Sequence, residues 1–451
     1  MKLARVTLEN FRGIRHLELP LDSHMNILVG ENAAGKTSLL DGIAIGLAAI
    51  TQRFPGVGGI GFKKGDLQRF TPDRTQPNLL GEEQPLRWLN RPYMRVELES
   101  IDGIAWDRTE RRDQTQHTRQ ELPKLLGLKR LQERIDPLIE AIEADSAAAV
   151  ELPVLVYYGT ERAVLNLPQR MRNLRKEFTR YSALENSPRA TTNYKGVLEW
   201  FIAQENGELR EQRRRKDWDY RLPALEAVRR AIEKIIPGGR DPHTETNPPR
   251  FLITLEVEAG RPETLYLAQL SDGYRALLAL VMDLARRMAQ ANPHCGADAI
   301  NSEAIVLIDE VDLHLHPRWQ QRVLVDLNNT FPNAQFIVTT HSPQVLTSIH
   351  PEQIVRLKRS EEGIVAERAQ SSYGAESGRL LEEIMDVDRR PPAETNEFTK
   401  ILMDYLALIK DGQGEGGDAQ ALRCQLDELS PQDPALLRAD MEIRRRKLLG
   451  K

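Results

Sequence analysis

The chain has 451 residues, 40 % hydrophobic and 28 % charged, with a formal net charge of −4. That length asks for two or three lobes rather than one core, and the charge balance excludes a strongly basic polyanion binder while leaving room for a local basic patch. The two cysteines, Cys295 and Cys424, lie far apart and form no CxxC pair, which argues against a disulfide framework and a cysteine-based zinc site.

Residues 2–29 alternate in strand fashion through LARVTLENF, IRHLELPL and MNILVG, with turns at Arg12-Gly13 and Asp22-Ser23. Charges at Lys2, Arg5, Glu9 and Arg12 are not those of a signal peptide. A glycine-rich loop follows, then a helix from Thr37 to Ile50. The apolar stretch Ser38 to Ile50 is too short to cross a bilayer and contains Asp41, so a cytoplasmic protein with no membrane partner is expected. Residues 51–92 read as loops, 94–112 as a β-hairpin turning at Asp102-Gly103, 120–148 as helix, and PVLVYYG at 153–159 as a short buried strand.

Residues 163–235 are mostly helical and highly charged, 237–249 read as a loop, and FLITLEVE at 251–258 as a strand. A helix spans Ser271 to Ala291. IVLID at 305–309 is an unbroken apolar run, hence a strand buried on both faces. A helix from Pro317 to Thr330 and a second buried strand, QFIVTTH at 335–341, follow. After Ser371 the character changes to a helical tail, with helices at about 376–386, 396–410, 419–429 and 434–449 around a PP break and the flexible stretch DGQGEGGD.

Gly30-Glu31-Asn32-Ala33-Ala34-Gly35-Lys36-Thr37 follows the spacing G-x-x-x-x-G-K-[ST] between an apolar strand and a helix. Glycines there let backbone N–H groups curl round a phosphate, and the helix presents its positive end. ATP is the expected ligand, lined by Gly30, Asn32, Ala33, Gly35, Lys36, Thr37 and Ser38, with Lys36 on the β- and γ-phosphates and Thr37 on Mg²⁺. Ile305 to Glu310 ends a buried strand in two carboxylates: Asp309 suits Mg²⁺, and Glu310 suits polarising the attacking water. Ser271, in Leu270-Ser271-Asp272-Gly273-Tyr274, reads both as an N-cap and as part of an anion site for a nucleotide held by another copy. His341, just past a buried strand in VTTHSP, reads as a γ-phosphate contact or as structural.

In that order, GENAAGKTS, LSDGY, IVLIDEVDLHLHP and VTTHSPQVL resemble the ABC-type ATPase heads of the group that includes RecF, SMC, OLD and the zinc-hook repair ATPases. The opening VTLENFRGIRHLEL resembles the first strands of that group, and the likeness covers residues 1–360 in outline. It implies an α/β P-loop head, a RecA-like parallel sheet plus an antiparallel β lobe, with a helical insertion and a helical C-terminal tail. Residues 1–112 and 251–370 would be the two halves of the head, 113–250 a mostly helical insertion with one strand, and 371–451 a partner-docking region. Two copies would close head-to-tail on ATP, with Ser271 and Gly273 acting in trans, Glu310 as the base and His341 as the switch. The resemblance also implies a residue sensing Mg²⁺ and the γ-phosphate. Gln68 in GDLQRF is the candidate and Asp66 the competitor, while Arg12 in NFRG approaches the nucleotide or forms a surface turn.

Departures narrow the family. About 140 residues separate the hairpin from FLITLEVE, with no CxxC hook, and neither LSGGQ nor a Toprim-like acidic cluster occurs. YGAESGRLLEEIM, RPP, LLRADMEIRRRKLLG and PVLVYYGTER resemble the ATPase subunit of Septu-type anti-phage systems, including those attached to retrons. That likeness implies a nucleotide-gated sensor working with a separate HNH nuclease, with DNA or retron nucleic acid as a further partner. The alternative is a RecF-like DNA clamp in repair; a nuclease site within residues 371–451 ranks last, because no carboxylate–lysine or HNH constellation occurs there.

The basic clusters Arg170 to Arg180 and Arg210 to Lys216 are solvated helix faces or a phosphate-contacting strip. Trp218 and Tyr220 read as core. His314 and His316 lack an evident third ligand and read as structural, and Arg444 to Lys447 suit the dipole of their own helix.

Overall fold

The computed structural model describes residues 1–70, 89–160, 178–189, 194–246, 249–257, 261–360 and 363–449. They form two compact units, Met1–Ser377 and Gly378–Lys451. The strands, in chain order, are β1 (Leu3–Phe11), β2 (Ile14–Pro20), β3 (Met25–Val29), β4 (Arg69–Phe70), β5 (Leu89–Asn90), β6 (Tyr93–Ser100), β7 (Ala105–Arg111), β8 (Val154–Tyr158), β9 (Arg240–Thr246), β10 (Pro249–Val257), β11 (Arg261–Tyr266), β12 (Ala304–Ile308), β13 (Ala334–Thr339), β14 (Ile354–Ser360) and β15 (Gly363–Arg368).

The central sheet has six strands in the order β15-β14-β3-β13-β12-β8. Five run parallel, and β15 closes one edge as the antiparallel partner of β14. Every residue of β3, β8, β12 and β13 is buried. A parallel strand covered on both faces favours an apolar run, unbroken in β8 and β12 and interrupted by Asn26 in β3 and by Gln335 in β13. Ile308 lies opposite both Val338 and Tyr158, so β12, β13 and β8 end in register and open a crevice at their carboxyl ends.

The second layer is the antiparallel sheet β2-β1-β6-β7. Here one face is wet, and β2 alternates accordingly, with Ile14, Leu17 and Leu19 inward. The sheet is anchored on the helix Lys36–Thr51. The buried Trp106 indole donates to Gly46 O at 3.0 Å, and Arg108 Nη1 donates to Ile45 O at 2.9 Å.

A third sheet, β11-β10-β9, corrects the reading of residues 237–249 as a loop. Arg240–Thr246 is a strand paired antiparallel with β10. Pro242 hid it, but a proline is tolerated where the strand lies at a sheet edge, as β9 does. The helix expected from Pro317 to Thr330 is two helices, Pro317–Gln320 and Val323–Thr330, because Arg322 leaves helical geometry (φ −121°, ψ −16°). The stretch 120–148 is helical over Lys129–Ala144. Of the charged segment 163–235, residues 163–177 lie outside the described residues, and Tyr194–Arg215 and Pro223–Ile235 are helices.

The helix Asp272–Ala291 is buried along most of its length and carries charge into the core. Asp283 accepts from Arg286 Nη2 and Arg287 Nε, each at 2.7 Å, and from the Tyr158 hydroxyl at 3.0 Å. Arg287 Nη1 continues to Ala183 O at 2.6 Å. Buried charges persist where they are paired and hydrogen-bonded, and this set ties the helix to β8.

In the Gly378–Lys451 unit, the helices Glu397–Lys410, Gly417–Leu429 and Pro434–Leu449 close over Leu402, Tyr405, Ile409, Ala419, Leu426, Leu436 and Ala439. Arg446 does more than complement its own helix: its Nη1 donates to Ile409 O and Lys410 O, capping the Glu397–Lys410 helix at 2.7 and 2.8 Å.

Candidate nucleotide site

The site begins where β3 ends. Gly30 lies against β14, and a Cβ there would sit 2.3 Å from Leu357 O, so only glycine fits. Gly35 takes φ +92° and Ala33 φ +65°, left-handed turns that curl the loop before the helix opens at Lys36. Asn32 and Ala33 stand exposed on the crest, and Ser38 is half-buried in the first helical turn. The buried Lys36 ammonium folds over its own loop, donating to Gly30 O at 2.8 Å and Glu31 O at 3.0 Å. Burial lowers its pKa against the opposing pull of Asp309, Glu310 and Asp312. A partly desolvated cation beside a glycine-containing turn at a helix N-terminus suits a phosphate.

The loop and the β12 strand end meet directly: Thr37 Oγ1 donates to Asp309 Oδ2 at 3.0 Å. The other oxygen of that carboxylate accepts from Thr339 Oγ1 at 2.6 Å, and Thr339 Oγ1 accepts from Glu310 N at 2.7 Å. Three chain segments therefore converge on one carboxylate. Glu310 adopts φ +51°, an uncommon left-handed conformation for a side chain of its kind, directly after Asp309. Sequence reading passed over Thr339. Its signal was its place at the end of β13, beside Asp309 in the parallel register.

Asp312 is the second residue that sequence reading missed. It accepts from Thr340 Oγ1 at 2.6 Å and from His341 N at 3.4 Å. Ser342 Oγ donates to Gln320 Oε1 at 2.8 Å, and Gln320 Nε2 donates to Leu315 O at 2.9 Å. The turn after Glu310 is thus laced to the segment carrying His341, whose side chain is exposed.

Gly273 is buried against the same turn: a Cβ there would lie 2.6 Å from His314 O. Ser271 precedes this helix at the N-cap position, yet its exposed hydroxyl makes no capping hydrogen bond, so the N-cap reading fails for the side chain. Tyr274 packs edge-on against Trp319 with ring centroids 4.3 Å apart.

Arg12 lies in the turn between β1 and β2, and its side chain reaches inward as a clamp. Its Nη1 donates to Asp41 on the Lys36–Thr51 helix at 2.6 Å, and its Nε donates to Asp66 at 2.9 Å. Burial, with the negative charge of Asp41 adding to it, pushes the Tyr157 phenol well above its ordinary pKa. Asp66 is buried and committed, since its other oxygen accepts from Lys63 N at 2.8 Å. Two residues on, Gln68 is held through its backbone by Asn10 and Arg91 at 3.0 Å each, while its buried side-chain Oε1 has no hydrogen-bond partner among the described residues.

His316 caps the Pro317–Gln320 helix through Nδ1, and His314 is exposed at φ +62°. Within the described basic stretch, Arg214 and Arg215 pair with Glu211, which favours the solvated-face reading. Most of the Arg170 to Arg180 cluster lies outside the described residues. Trp218 is not core: it is 70 % exposed, because the helix ends at Arg215 and the chain turns outward, while Tyr220 lies under the Arg215 guanidinium.

A lysine in a phosphate-type loop, followed by a hydroxyl bonded to a carboxylate at the end of the adjacent-but-one parallel strand, defines a P-loop nucleoside triphosphatase. Residues 5–237 match the family model described as AAA domain, and residues 194–347 match a second AAA-domain model. The chain belongs to the AAA-domain family and is an ATPase. It is similar to the Retron Ec83 probable ATPase of Escherichia coli, at 27 % identity over 99 % of this chain and 87 % of that one. Likeness extends to the Retron Vc95 probable ATPase of Vibrio cholerae, at 24 % identity over 92 % of this chain and 84 % of that one. A shorter match, 44 % identical, joins 21 % of the chain to 13 % of the Septu protein PtuA of Bacillus mycoides. Among the described residues no helix is long and apolar enough to cross a membrane.

Proposed function

We propose that the chain is the nucleotide-gated sensor subunit of a bacterial anti-phage defence complex, in which two copies close on ATP and thereby restrain or release a separate HNH nuclease. The observation that supports its catalytic half is the 3.0 Å bond from Thr37 to Asp309, which joins the phosphate-type loop to the acidic strand end. Lys36 would neutralise the β- and γ-phosphates and the amides of Gly30 to Ser38 would hold them. Thr37 and Asp309 offer hard oxygen ligands that fit Mg²⁺, which supplies charge neutralisation on the phosphates when bound. Gln68, with its uncommitted Oε1, is the better candidate than Asp66 for the third oxygen. Glu310 would polarise water and His341 would contact the γ-phosphate. Ser271, its hydroxyl not used as a cap, would be offered with Gly273 to the other copy.

The defence role rests on the likeness to retron and Septu ATPases. Two experiments test the proposal. Lys36→Ala should abolish ATP binding, and Glu310→Gln should bind ATP without turning it over; normal turnover by Glu310→Gln would remove Glu310 as the base. Purifying the chain with its genomic neighbours should bring an HNH protein through the column with it. Salt-dependent DNA binding by the chain alone, with no such partner, would favour a RecF-like clamp.

A further inference from the structure

Away from the nucleotide site, Glu151, His294 and Cys295 each bring a ligand atom to within 4.8 Å of the other two, the one such cluster among the described residues. We propose that these three side chains form a zinc-type metal site that staples the far end of the Ser271 helix to the segment leading into β8. The donor set is a thiol, an imidazole and a carboxylate. That combination selects a borderline-soft cation such as Zn²⁺ over Mg²⁺ or Ca²⁺, and three protein ligands leave a fourth position for water.

The backbone around the cluster is held in place. His294 and Cys295 lie in the 3-10 helix Pro293–Asn301, just after Ala291, where the long helix stops. Asn292, fully buried between the two helices, reaches across to the residue beside Glu151: its Oδ1 accepts from Leu152 N at 2.8 Å and its Nδ2 donates to Leu152 O at 3.2 Å. Asn292 O accepts from Cys295 N at 3.1 Å, so one residue fixes both halves of the cluster. Arg180 adds a second tie, donating to Ala291 O at 2.8 Å and to Ala148 O at 2.9 Å. Zn–ligand bonds of about 2.0–2.3 Å place tetrahedral ligand atoms roughly 3.5 Å apart. Glu151 and His294 are exposed, so rotation of their side chains closes the remaining gap without moving the backbone.

The placement gives the site a consequence. The Asp272–Ala291 helix has 20 residues and so runs about 30 Å. Ser271 is at one end, and the cluster is at the other. β8 lies beside β12, whose end carries Asp309. A bound metal would lock the helix to the sheet at the end remote from the nucleotide.

The test uses full-length, tag-free protein without nucleotide, titrated with Co²⁺ as a spectroscopic stand-in for Zn²⁺. Wild-type chain should develop a thiolate-to-cobalt charge-transfer band that Zn²⁺ abolishes. Cys295→Ser should lose the band. Glu151→Gln and His294→Ala should bind at least about 10-fold more weakly, since even partners beyond the ligands command that much. Cys424→Ser, which changes the exposed cysteine of the other unit, should keep the band. Zn²⁺ should also raise the thermal midpoint of wild type more than that of Glu151→Gln, a readout that survives if Cys295→Ser folds poorly. No band in wild type, a band that follows Cys424, or equal affinity in wild type and Glu151→Gln would overturn the site.

Discussion

Thr339 ties the Asp309 carboxylate to the Glu310 backbone. Its hydroxyl is donor to Asp309 and acceptor from Glu310 N, so Thr339→Val leaves two polar groups without that partner. The expected cost is about 1–3 kcal/mol in denaturant unfolding, together with a drop in ATP turnover larger than the drop in ATP binding; Thr339→Ser should restore most of both. Gly273→Ala drives a methyl to within 2.6 Å of a backbone oxygen, so the helix start and the His314 turn must part. ATP hydrolysis should fall while binding through Lys36 persists. Unchanged turnover in Gly273→Ala would show that this contact is slack. Lys36 gives a pH signature. Its pKa is lowered in the native state by burial, so the unfolded chain holds its proton more tightly. Native stability of the ligand-free protein should therefore rise with pH between the lowered value and the ordinary 10.5. Lys36→Met should flatten that part of the profile.

The helix Asp272–Ala291 runs from the His314 turn into the interior, and its buried charges set its behaviour in acid. Burial pushes the Asp283 carboxyl upward, but Arg287 and Arg286 outweigh it and hold the group at about 2, below the usual 3.8. A depressed carboxyl stabilises the fold fully above its unfolded value. That contribution, ~2 kcal/mol, should fade as pH falls from near 4 through 2. Asp283→Ala should cost about 3–5 kcal/mol at neutral pH, because two buried guanidinium groups lose their counter-charge. Denaturant midpoints measured across that range check both. Other elements show why sequence patterns were uneven guides. β12 and β13 declare themselves as apolar runs because both faces are covered. By contrast β11, mostly exposed, offers no alternation to find, and β9 carries a proline that an edge strand can absorb.

For the assembled protein, Glu310→Gln with ATP should double the solution mass, and Lys36→Ala with ATP should not. A sharper test of the proposed sharing of a site between two copies mixes Lys36→Ala chains with Ser271→Arg chains. On the proposed arrangement each should be inactive alone, but a mixed head-to-tail pair would hold one intact phosphate loop facing one intact Ser271, so hydrolysis should partly return. No recovery on mixing would mean that Ser271 acts within its own chain or not at all.

Gly30 to Thr37 and the Asp309-Glu310 pair were legible because their chemistry is local: a phosphate turn needs glycines at fixed spacing, and a carboxylate at the end of an apolar strand needs nothing distant to be recognised. Thr339, Asp312 and the Arg12–Asp41–Asp66 clamp were not, since each matters through partners far away along the chain. The same holds for Gly273, whose lack of a side chain has a reason only once His314 O stands beside it. A threonine or an aspartate carries no mark of its role until folding brings its partner within about 3 Å.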